Sequence, residues 1–276
     1  MTGDIEQACA ARRAQRSTGP GARHDGRSRL AGLAFERLSE AEVVEHVIGD
    51  IRLGRGGSVI PVNIDVSRLA AGDRELHHVI SAASLVVPDG MPLLWAAKLR
   101  GSPFPERVAG ASLIYSLSRA AAQEGRSIYL LGGAPGIPGR AASELCARYP
   151  GLKVAGTDAP PLGFDASDEG VQEVCNRLAM AAPDIVYVGL GCPKQERLIA
   201  RIAPSFPAAW FIACGAAIPF AAKALPRAPW WMRQAGLSWL FRLATEPRRL
   251  FKRYVFHDMP YAARLLTASA AERIRQ

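Results

Sequence analysis

The sequence has few of the residues that build disulfide frameworks and metal sites. Only five of its 276 residues are cysteine and five are histidine, and no two cysteines form a CxxC pair. The neighbours His77 and His78 do not have the spacing of metal ligands. An odd number of such cysteines is typical of a reduced, cytosolic protein. These shortages exclude a disulfide-stapled domain and a zinc centre, and we expect neither a metal nor a cofactor.

Motifs of several common enzyme classes are also missing. The sequence has no Ser/His/Asp order and no nucleophile elbow. No Asp-x-Asp pair follows a strand in the manner of metal-dependent sugar-nucleotide transferases. No Asp or Glu stands at the end of a second strand, where an NAD-binding unit places one, and this disfavours a dehydrogenase. The Arg-, Gly- and Ala-rich N-terminus lacks the apolar segment of a secretory signal.

One charge-free stretch, Ser205–Ala222, is long enough to raise the question of a transmembrane helix. Pro207, Gly215 and Pro219 interrupt it. We interpret it as a buried strand over Ala208–Ala213 followed by a loop. The chain is therefore expected to be soluble or attached to a membrane from one side.

Positive charge is concentrated at the two ends of the chain. The net charge is +9, and residues 223–276 hold eleven Lys and Arg against three acids. Residues 1–30 hold six Arg against three acids and show no periodicity, so we predict a disordered basic leader there. Basic ends around a near-neutral body typically meet phosphates, either of nucleic acid or of a membrane surface.

Strands, glycine turns and helices alternate through residues 31–222. Ser127–Leu131 leads into Gly132-Gly133 and a helix, and Asp184–Val188 leads into Gly189 and another helix. Ala208–Ala213 leads into Cys214-Gly215 in the same way. This alternation predicts an α/β domain, with a Rossmann-like, mostly parallel sheet covered by helices on both faces.

One carboxylate follows a predicted strand of this domain. The strand Val86–Val87 leads into Asp89-Gly90, and a helix over Pro92–Arg100 begins directly afterwards. Ligands bind at the carboxyl ends of strands in parallel sheets. However, Asp-Gly is also a common turn pair. The residues alone leave both interpretations open.

Two further turns are candidates for phosphate binding. Gly132-Gly133-x-x-Gly136 lies between a strand and a helix, so its amides could hold a diphosphate, but without GxGxxG spacing a plain turn fits equally well. Pro193-Lys194-Gln195-Glu196 places a cation at the start of a helix, where it opposes the helix dipole. A bound anion would remove that conflict, which favours a binding site there.

From Pro226 onward the chain alternates aromatic and basic residues, without another glycine-turn strand. We predict a basic, aromatic-rich helical appendage over residues 223–276. Arg with stacked aromatics could bind single-stranded nucleic acid, whereas Trp, Tyr and Arg on amphipathic helices could lie on lipid headgroups. The aromatics could also simply pack on the body. The adjacent Trp230 and Trp231 cannot both face one core from a helix, which favours an interface.

Taken together, five motifs resemble those of the WecG/TagA/CpsF family of bacterial glycosyltransferases. They lie in matching order between about Leu33 and Tyr254: Val86–Trp95, Pro105–Gly110, Leu130–Gly136, Val188–Glu196, and Arg227 through Arg249. The resemblance implies an inverting, metal-independent transfer of a sugar from a UDP-sugar to a saccharide on polyprenyl diphosphate, in surface polysaccharide biosynthesis. It also implies a cytoplasmic protein, peripheral on the inner face of the cell membrane through its appendage. A homo-oligomer is left open.

The resemblance extends to individual site residues. Asp89 matches the proposed general base, and Arg107 and Gln195 match the other residues assigned to catalysis. Together with the turn residues above, the predicted substrate-binding set is Asn63, Gly90, Gly132, Gly133, Lys194, Arg242, Arg249 and Lys252.

Three places depart from the family pattern. Pro61 replaces a common Thr, Ala109–Ser112 replaces Thr-Gly-x-Asp, and Pro219 replaces a common Asp. The donor sugar therefore stays open among N-acetylmannosamine, its uronic acid and glucose, all used within the family. Two alternatives also stay open. One is a nucleotide-sugar-binding protein without catalysis, and the other is a nucleic-acid-binding protein that uses the appendage; the preferred interpretation involves no nucleic acid.

Overall fold

The computed structural model describes residues 26–274. Its strands are β1 (Arg27–Leu30), β2 (Leu33–Glu36), β3 (Gly57–Val62), β4 (Leu85–Pro88), β5 (Ser127–Leu131), β6 (Lys153–Asp158), β7 (Ile185–Val188) and β8 (Trp210–Ala213). The first two form an antiparallel hairpin. The other six form one parallel sheet in the order β4-β3-β8-β7-β5-β6. The predicted α/β fold with a mostly parallel sheet is confirmed.

Helices cover both faces of this sheet. They are α1 (Glu40–Arg52), α2 (Ile64–Gly72), α3 (Arg74–Ala82), α4 (Met91–Leu99), α5 (Gly110–Gln123), α6 (Ile137–Arg148), α7 (Asp168–Ala181), α8 (Lys194–Ile202) and α9 (Ala217–Ala221). One apolar core lies between the sheet and α1, α5, α6 and α9. A second core lies on the opposite face, under the hairpin and α2, α3, α4, α7 and α8.

The strand sequences explain this two-sided burial. In β7 the side chains of Ile185 and Tyr187 enter the first core, whereas those of Val186 and Val188 enter the second. Successive side chains of a strand point to opposite faces, so a continuous apolar run is what a sheet covered on both sides requires. The fold follows from that run and from the turns that end it.

Side chains cap the N-termini of α1 and α3. The Ser39–Glu42 pattern is a capping box, in which the Ser39 hydroxyl accepts from the Glu42 N–H and the Glu42 carboxylate accepts from the Ser39 N–H. Two short helices, α2 and α3, follow one another over Ile64–Ala82. Asp73 ends α2 and caps α3, because its carboxylate accepts from the Leu76 N–H at 3.0 Å.

The predicted leader ends earlier than residue 30. Arg27–Leu30 forms β1, paired with β2, so its last four residues belong to the folded part. The reason is that Leu30 and Leu33 bury their side chains in the second core. The remainder of the predicted leader lies outside the described residues.

Helices alone follow β8 in the part of the chain that the structure describes. They are α10 (Trp230–Gln234), α11 (Ser238–Thr245), α12 (Pro247–Phe251), a π-helical segment (Lys252–Asp258) and α13 (Met259–Ile274). The charge-free run holds β8, but the short helix α9 follows where we predicted a loop. Between residues 26 and 274 no helix is long and apolar enough to cross a membrane.

The sheet opens at the carboxyl ends of β3 and β8. These strands pair only from Gly57 to Val59 on the β3 side, and the Cys214 N–H donates instead to the Val188 carbonyl of β7. The chain after β3 continues on the second face, whereas the chain after β8 continues on the first. Such a point of divergence is where α/β sheets bind ligands, so this crevice is the place to look for a site.

Pro61 lies beside the crevice. The Val62 carbonyl faces β4, because it accepts from the Asp89 N–H at 2.8 Å, so the preceding residue faces β8. Pairing with β8 has already ended at Val59. A proline here therefore breaks no ladder bond, and it offers the crevice neither an N–H nor the hydroxyl of the family's Thr.

Candidate active site

Asp89 stands directly after β4, beside the crevice. Its backbone N–H is fixed by the Val62 carbonyl of the neighbouring strand. Gly90 follows with a φ of +145°, a region that side chains rarely adopt, and α4 begins at the next residue. The Asp-Gly pair is thus a sharp strand-to-helix turn that leaves the Asp89 side chain partly accessible at the sheet edge.

The Asp89 carboxylate is surrounded by groups of both charges. Removal from bulk water raises its pKa above the ordinary carboxyl value, and this is the dominant influence. The positive charges of Arg107 and Arg242 oppose that rise, as does a hydrogen bond from the Gly110 N–H at the start of α5. The negative charge of Glu40 adds slightly to it. The result is a carboxyl whose proton affinity exceeds that of a solvated aspartate.

The loop that carries Arg107 is tied to the strand that carries Asp89. The Val108 N–H donates to the Pro88 carbonyl at 2.9 Å. Next to Arg107, the Glu106 carboxylate accepts from the Glu40 N–H at 2.5 Å. The Val108–Pro88 bond holds the Pro105–Gly110 loop next to the strand end that carries Asp89.

Sequence reasoning missed two residues beside this loop. The Ser112 hydroxyl donates to the Glu40 carboxylate at 2.5 Å, and Glu40 in turn lies close enough to Asp89 to influence its pKa. Ser112 occupies the position where the family's Thr-Gly-x-Asp motif has its Asp, so that departure was the available signal. Glu40 had none, because it resembles any acid in the first turn of a helix.

Asn63 lies beside the Asp89 turn but acts locally as a helix cap. Its Oδ1 accepts from the Val66 N–H at 3.0 Å at the start of α2. A Cβ on Gly90 would lie 3.8 Å from the Asn63 Cβ, so the two turns touch. The Asn63 side-chain amide NH2 is the group left to meet a substrate, and its substrate-binding role stays a prediction.

Gln195 is buried at the crevice and links two strand ends. Its Oε1 accepts from the Gly215 N–H at 3.0 Å, and its Nε2 donates to the Glu196 carboxylate at 2.8 Å. Glu196 is fully buried, and burial raises its pKa. Gln195 therefore holds the turn after β8 against α8. That arrangement suits a positioning residue better than direct catalysis.

Lys194 already has an anionic partner in the protein. Its Nζ lies 3.3 Å from the Asp165 carboxylate. The conflict between this cation and the helix dipole, from which we inferred a bound anion, is therefore relieved without a ligand. The substrate-binding role of Lys194 loses its main argument.

Gly132 and Gly133 lie away from Asp89. They follow β5, which is four strand spacings from β4, or about 19 Å. A Cβ on Gly132 would lie 2.6 Å from the Gly189 carbonyl oxygen, so close packing of two turns explains this glycine. The α6 N-terminus behind them has no side-chain cap, and anything bound there would lie remote from Asp89.

The three cations assigned in the appendage differ in their surroundings. Arg242 packs 5.9 Å from the centroid of the Phe220 ring, lies 3.8 Å from Glu246, and lowers the pKa of Asp89. Arg249 pairs with Glu246 at 2.5 Å and is mostly exposed. Lys252 is exposed. Only Arg242 is therefore brought to the Asp89 carboxyl by the fold.

A network of ion pairs, which we call the latch, holds the appendage beside this site. It consists of Asp65, Arg68, Arg253 and Asp258. Arg68 on α2 donates to Asp65 at 2.6 Å and to Asp258 at 3.0 Å, and Arg253 lies 3.3 Å from Asp65. Asp258 is almost fully buried, and its pKa is raised by burial and by the charge of Asp65. The latch joins the π-helical segment to α2, the helix that Asn63 caps.

The start of the appendage also touches the Asp89 turn. A Cβ on Gly236, which has a φ of +75°, would lie 2.1 Å from the Met91 Cγ. Met91 is the first residue of α4 and stands two positions after Asp89. Contacts at both ends therefore hold α11 and its Arg242 over the crevice.

The profile of the glycosyl transferase WecG/TagA/CpsF family matches residues 28–275. The chain belongs to this family. A protein of Bacillus subtilis (strain 168), named N-acetylglucosaminyldiphosphoundecaprenol N-acetyl-beta-D-mannosaminyltransferase, is 30% identical over 197 residues, which cover 70% of this chain and 73% of the relative. A protein of the same name from Bacillus spizizenii (strain W23) is 28% identical over 195 residues, covering 71% and 74%. The chain is therefore a glycosyltransferase, as the motifs predicted.

Over residues 26–274, no three His, Cys, Asp or Glu side chains lie close enough together to hold a metal ion. The positive charges near Asp89 are those of Arg107 and Arg242, and the Gly110 N–H at the start of α5 donates to its carboxylate.

Proposed function

We propose that this chain transfers a sugar from a UDP-sugar to a saccharide carried on polyprenyl diphosphate, in one inverting displacement without a metal. The observation that carries the proposal is the Asp89 carboxyl, set on the N-terminus of α5 with Arg107 and Arg242 close by. The names of the two Bacillus relatives support N-acetylglucosaminyl-diphospho-polyprenol as the acceptor class and N-acetylmannosamine as the first donor sugar to test.

Asp89 is assigned as the general base. The acceptor hydroxyl attacks the anomeric carbon, the bond from that carbon to UDP breaks, and the hydroxyl proton passes to the Asp89 carboxylate. A raised pKa makes the carboxylate a better proton acceptor than a solvated one. Single displacement at the anomeric carbon inverts its configuration.

The departing UDP requires positive charge where its diphosphate develops negative charge. Arg242 and Arg107 lie near the proposed base. Arg249 and Arg242 both form ion pairs with the Glu246 carboxylate. A guanidinium can donate two parallel hydrogen bonds to phosphate oxygens. Fixed donors of this kind act without reorganising in the transition state. We therefore assign the leaving-group role to these arginines.

The full chain should be offered a panel of UDP-sugars with a polyprenyl-diphosphate-linked N-acetylglucosamine, and the product read by mass spectrometry. We expect a mass gain of one sugar residue from UDP-N-acetylmannosamine or from one of the two other family donors, with EDTA present. Release of UDP without a glycosylated lipid, or no reaction with any donor and acceptor, would contradict the proposal.

The same panel addresses the alternatives. UDP-sugar binding without turnover would favour a non-catalytic binding protein, for which Pro61 and Pro219 are the motivating departures. Salt-sensitive binding to a single-stranded oligonucleotide, unaffected by UDP-sugar, would favour the nucleic-acid alternative.

We further propose that the appendage rests on the membrane that carries the acceptor. Its apolar side chains stay exposed: Trp230 by 63%, Trp231 by 54% and Phe256 by 63%. Arg248 and Lys252 are exposed among them. Aromatic rings with neighbouring cations are the side chains that anionic lipid surfaces favour.

Replacing Trp230 and Trp231 by alanine should release the protein from vesicles. Burying each ring contributes on the order of 1.5 to 3 kcal/mol, so the double variant should bind at least about tenfold more weakly. Flotation with vesicles containing anionic phospholipid measures this. Leu162→Ala, which removes a fully exposed apolar side chain of the body, is the matched control. Equal flotation of the Trp variant and the control would contradict the membrane role.

A further inference from the structure

A second group of arginines, separate from those near Asp89, lies where the appendage leaves the body. Arg227 donates to the Ala111 carbonyl of α5 at 2.7 Å, and its guanidinium lies 4.7 Å from the centre of the Tyr115 ring. Arg148, at the end of α6, lies 5.2 Å from the same ring. Arg233 on α10 lies close enough for its positive charge to lower the pKa of Arg227. We call Arg148, Arg227 and Arg233 the arginine cluster.

The charge of the cluster is uncompensated within the described residues. None of its three guanidinium groups has a carboxylate within 4.0 Å in residues 26–274, and Glu144, near Arg148 in sequence, pairs with Lys223. The Arg233 Nε is buried and has no hydrogen-bond partner there. Burial lowers the pKa of Arg227, and the neighbouring positive charges of Arg233 and Arg148 lower it further. Arg227 and Arg233 are partly buried and Arg148 is exposed. Neighbouring like charges repel one another, so an anion bound here would be stabilised.

The cluster adjoins the candidate active site without belonging to it. Ala111, which holds Arg227, follows Gly110, whose N–H donates to Asp89. The arginines assigned to the leaving group differ, because Arg242 and Arg249 lie against Glu246. The molecule thus offers two separate sets of cations near one carboxyl.

The proposed reaction brings two diphosphates to this carboxyl, one from the donor and one from the lipid-linked acceptor. Arg242, within electrostatic reach of Asp89, is assigned to the donor's diphosphate, which departs from the face of the anomeric carbon opposite the acceptor hydroxyl. The arginine cluster instead adjoins Trp230 and Trp231, exposed on the helix that also carries Arg233. Such rings sit at the depth of lipid headgroups, which is also where the diphosphate of a membrane lipid lies.

We propose that the arginine cluster binds the diphosphate of the lipid-linked acceptor. This rests on the proposed function for the identity of the acceptor. The diphosphate accepts hydrogen bonds from Arg227 and Arg233. Arg148, which lies against the same Tyr115 ring as Arg227, adds a positive charge nearby. The saccharide then extends along the first turn of α5 toward Asp89.

The test measures binding rather than transfer, with the full chain and farnesyl diphosphate as the probe of a lipid diphosphate. Arg227→Gln and Arg148→Gln are compared with Arg264→Gln, which removes an exposed charge of α13. We expect Arg227→Gln to weaken the binding of farnesyl diphosphate at least about tenfold, because a charge-assisted hydrogen bond is lost. Arg148→Gln should weaken it less. UDP affinity should stay within about twofold in both, and Arg264→Gln should change neither ligand.

A competition experiment separates the two sources of diphosphate. Saturating UDP should leave farnesyl diphosphate bound to the wild-type chain if each has its own site. Displacement by UDP, or a loss of UDP affinity alone in Arg227→Gln, would assign the cluster to the donor and overturn the proposal. No binding of farnesyl diphosphate by the wild type would also overturn it.

Arg227→Lys is the control for a folding defect. It keeps a cation near Ala111 and should therefore retain most of the farnesyl diphosphate binding. Loss in Arg227→Gln together with an unfolding temperature equal to that of Arg264→Gln supports the site. Arg227-dependent binding in a chain that transfers no sugar would leave this inference standing and remove the proposed function. Sugar transfer by a chain whose farnesyl diphosphate binding does not depend on Arg227 or Arg148 would keep the proposed function and overturn this inference.

Discussion

Asp89→Asn is expected to lower the turnover number by roughly two to four orders of magnitude, the usual contribution of a general base. The amide keeps the size of the side chain but cannot accept the proton of the acceptor hydroxyl. Donor binding should change little, because the arginines and the α5 N-terminus remain. Single-turnover transfer and UDP-sugar affinity, measured on the same preparation, separate these effects.

The same substitution is expected to stabilise the fold at neutral pH. Burial raises the pKa of Asp89, so the folded chain binds this proton more tightly than the unfolded chain. The native state therefore loses stability as the pH rises through the folded pKa. Asn has no charge to desolvate and avoids that loss, so its unfolding midpoint at neutral pH should equal or exceed that of the wild type.

Asp168→Asn is the matched control for both effects, because Asp168 is an exposed acid of α7 that pairs with Arg201. It should retain full activity. An Asp89→Asn variant with near wild-type turnover would remove Asp89 from the mechanism. A variant that is both inactive and strongly destabilised would show that the carboxylate is mainly structural.

Breaking the latch is expected to have the second large effect. Arg68→Glu removes the cation between Asp65 and Asp258 and adds a third carboxylate beside them. Arg253 alone then faces three carboxylates. Breaking a buried ion pair costs on the order of 3 to 5 kcal/mol, and detachment of the π-helical segment would relieve the repulsion. Because Arg242 belongs to the same appendage, transfer to a lipid-linked acceptor should fall at least about a hundredfold.

Hydrogen exchange reports whether the appendage has detached. Amides of residues 238–274 should lose protection in Arg68→Glu, while those of β7 and β8 keep theirs. Arg55→Glu breaks a surface pair with Asp50 on α1 and serves as the control for charge reversal. Full transfer by a variant whose appendage is unprotected would mean that Arg242 and its neighbours are dispensable.

The family and the fold class were decided by the sequence itself. Apolar runs such as Ile185–Val188 are legible because a strand buried on both faces has no polar side to interrupt it, and the glycine turns mark where each run ends. The spacing of the Asp89, Arg107 and Gln195 motifs sufficed for the family. Those signals are local in the chain, so they survive without a structure.

The tertiary structure decided which of the predicted site residues meet. It brings Arg107 and Arg242 to Asp89, and it sets Gly132 and Gly133 four strands away, because strand order is not sequence order. It gives Lys194 an internal partner in Asp165, a pairing 29 residues apart that no local pattern encodes. Among residues 26–274 it also leaves Arg227 and Arg233 near each other with no carboxylate within 4.0 Å of either. Electrostatic environment depends on what folds next to a side chain, and that is the part a sequence pattern does not carry.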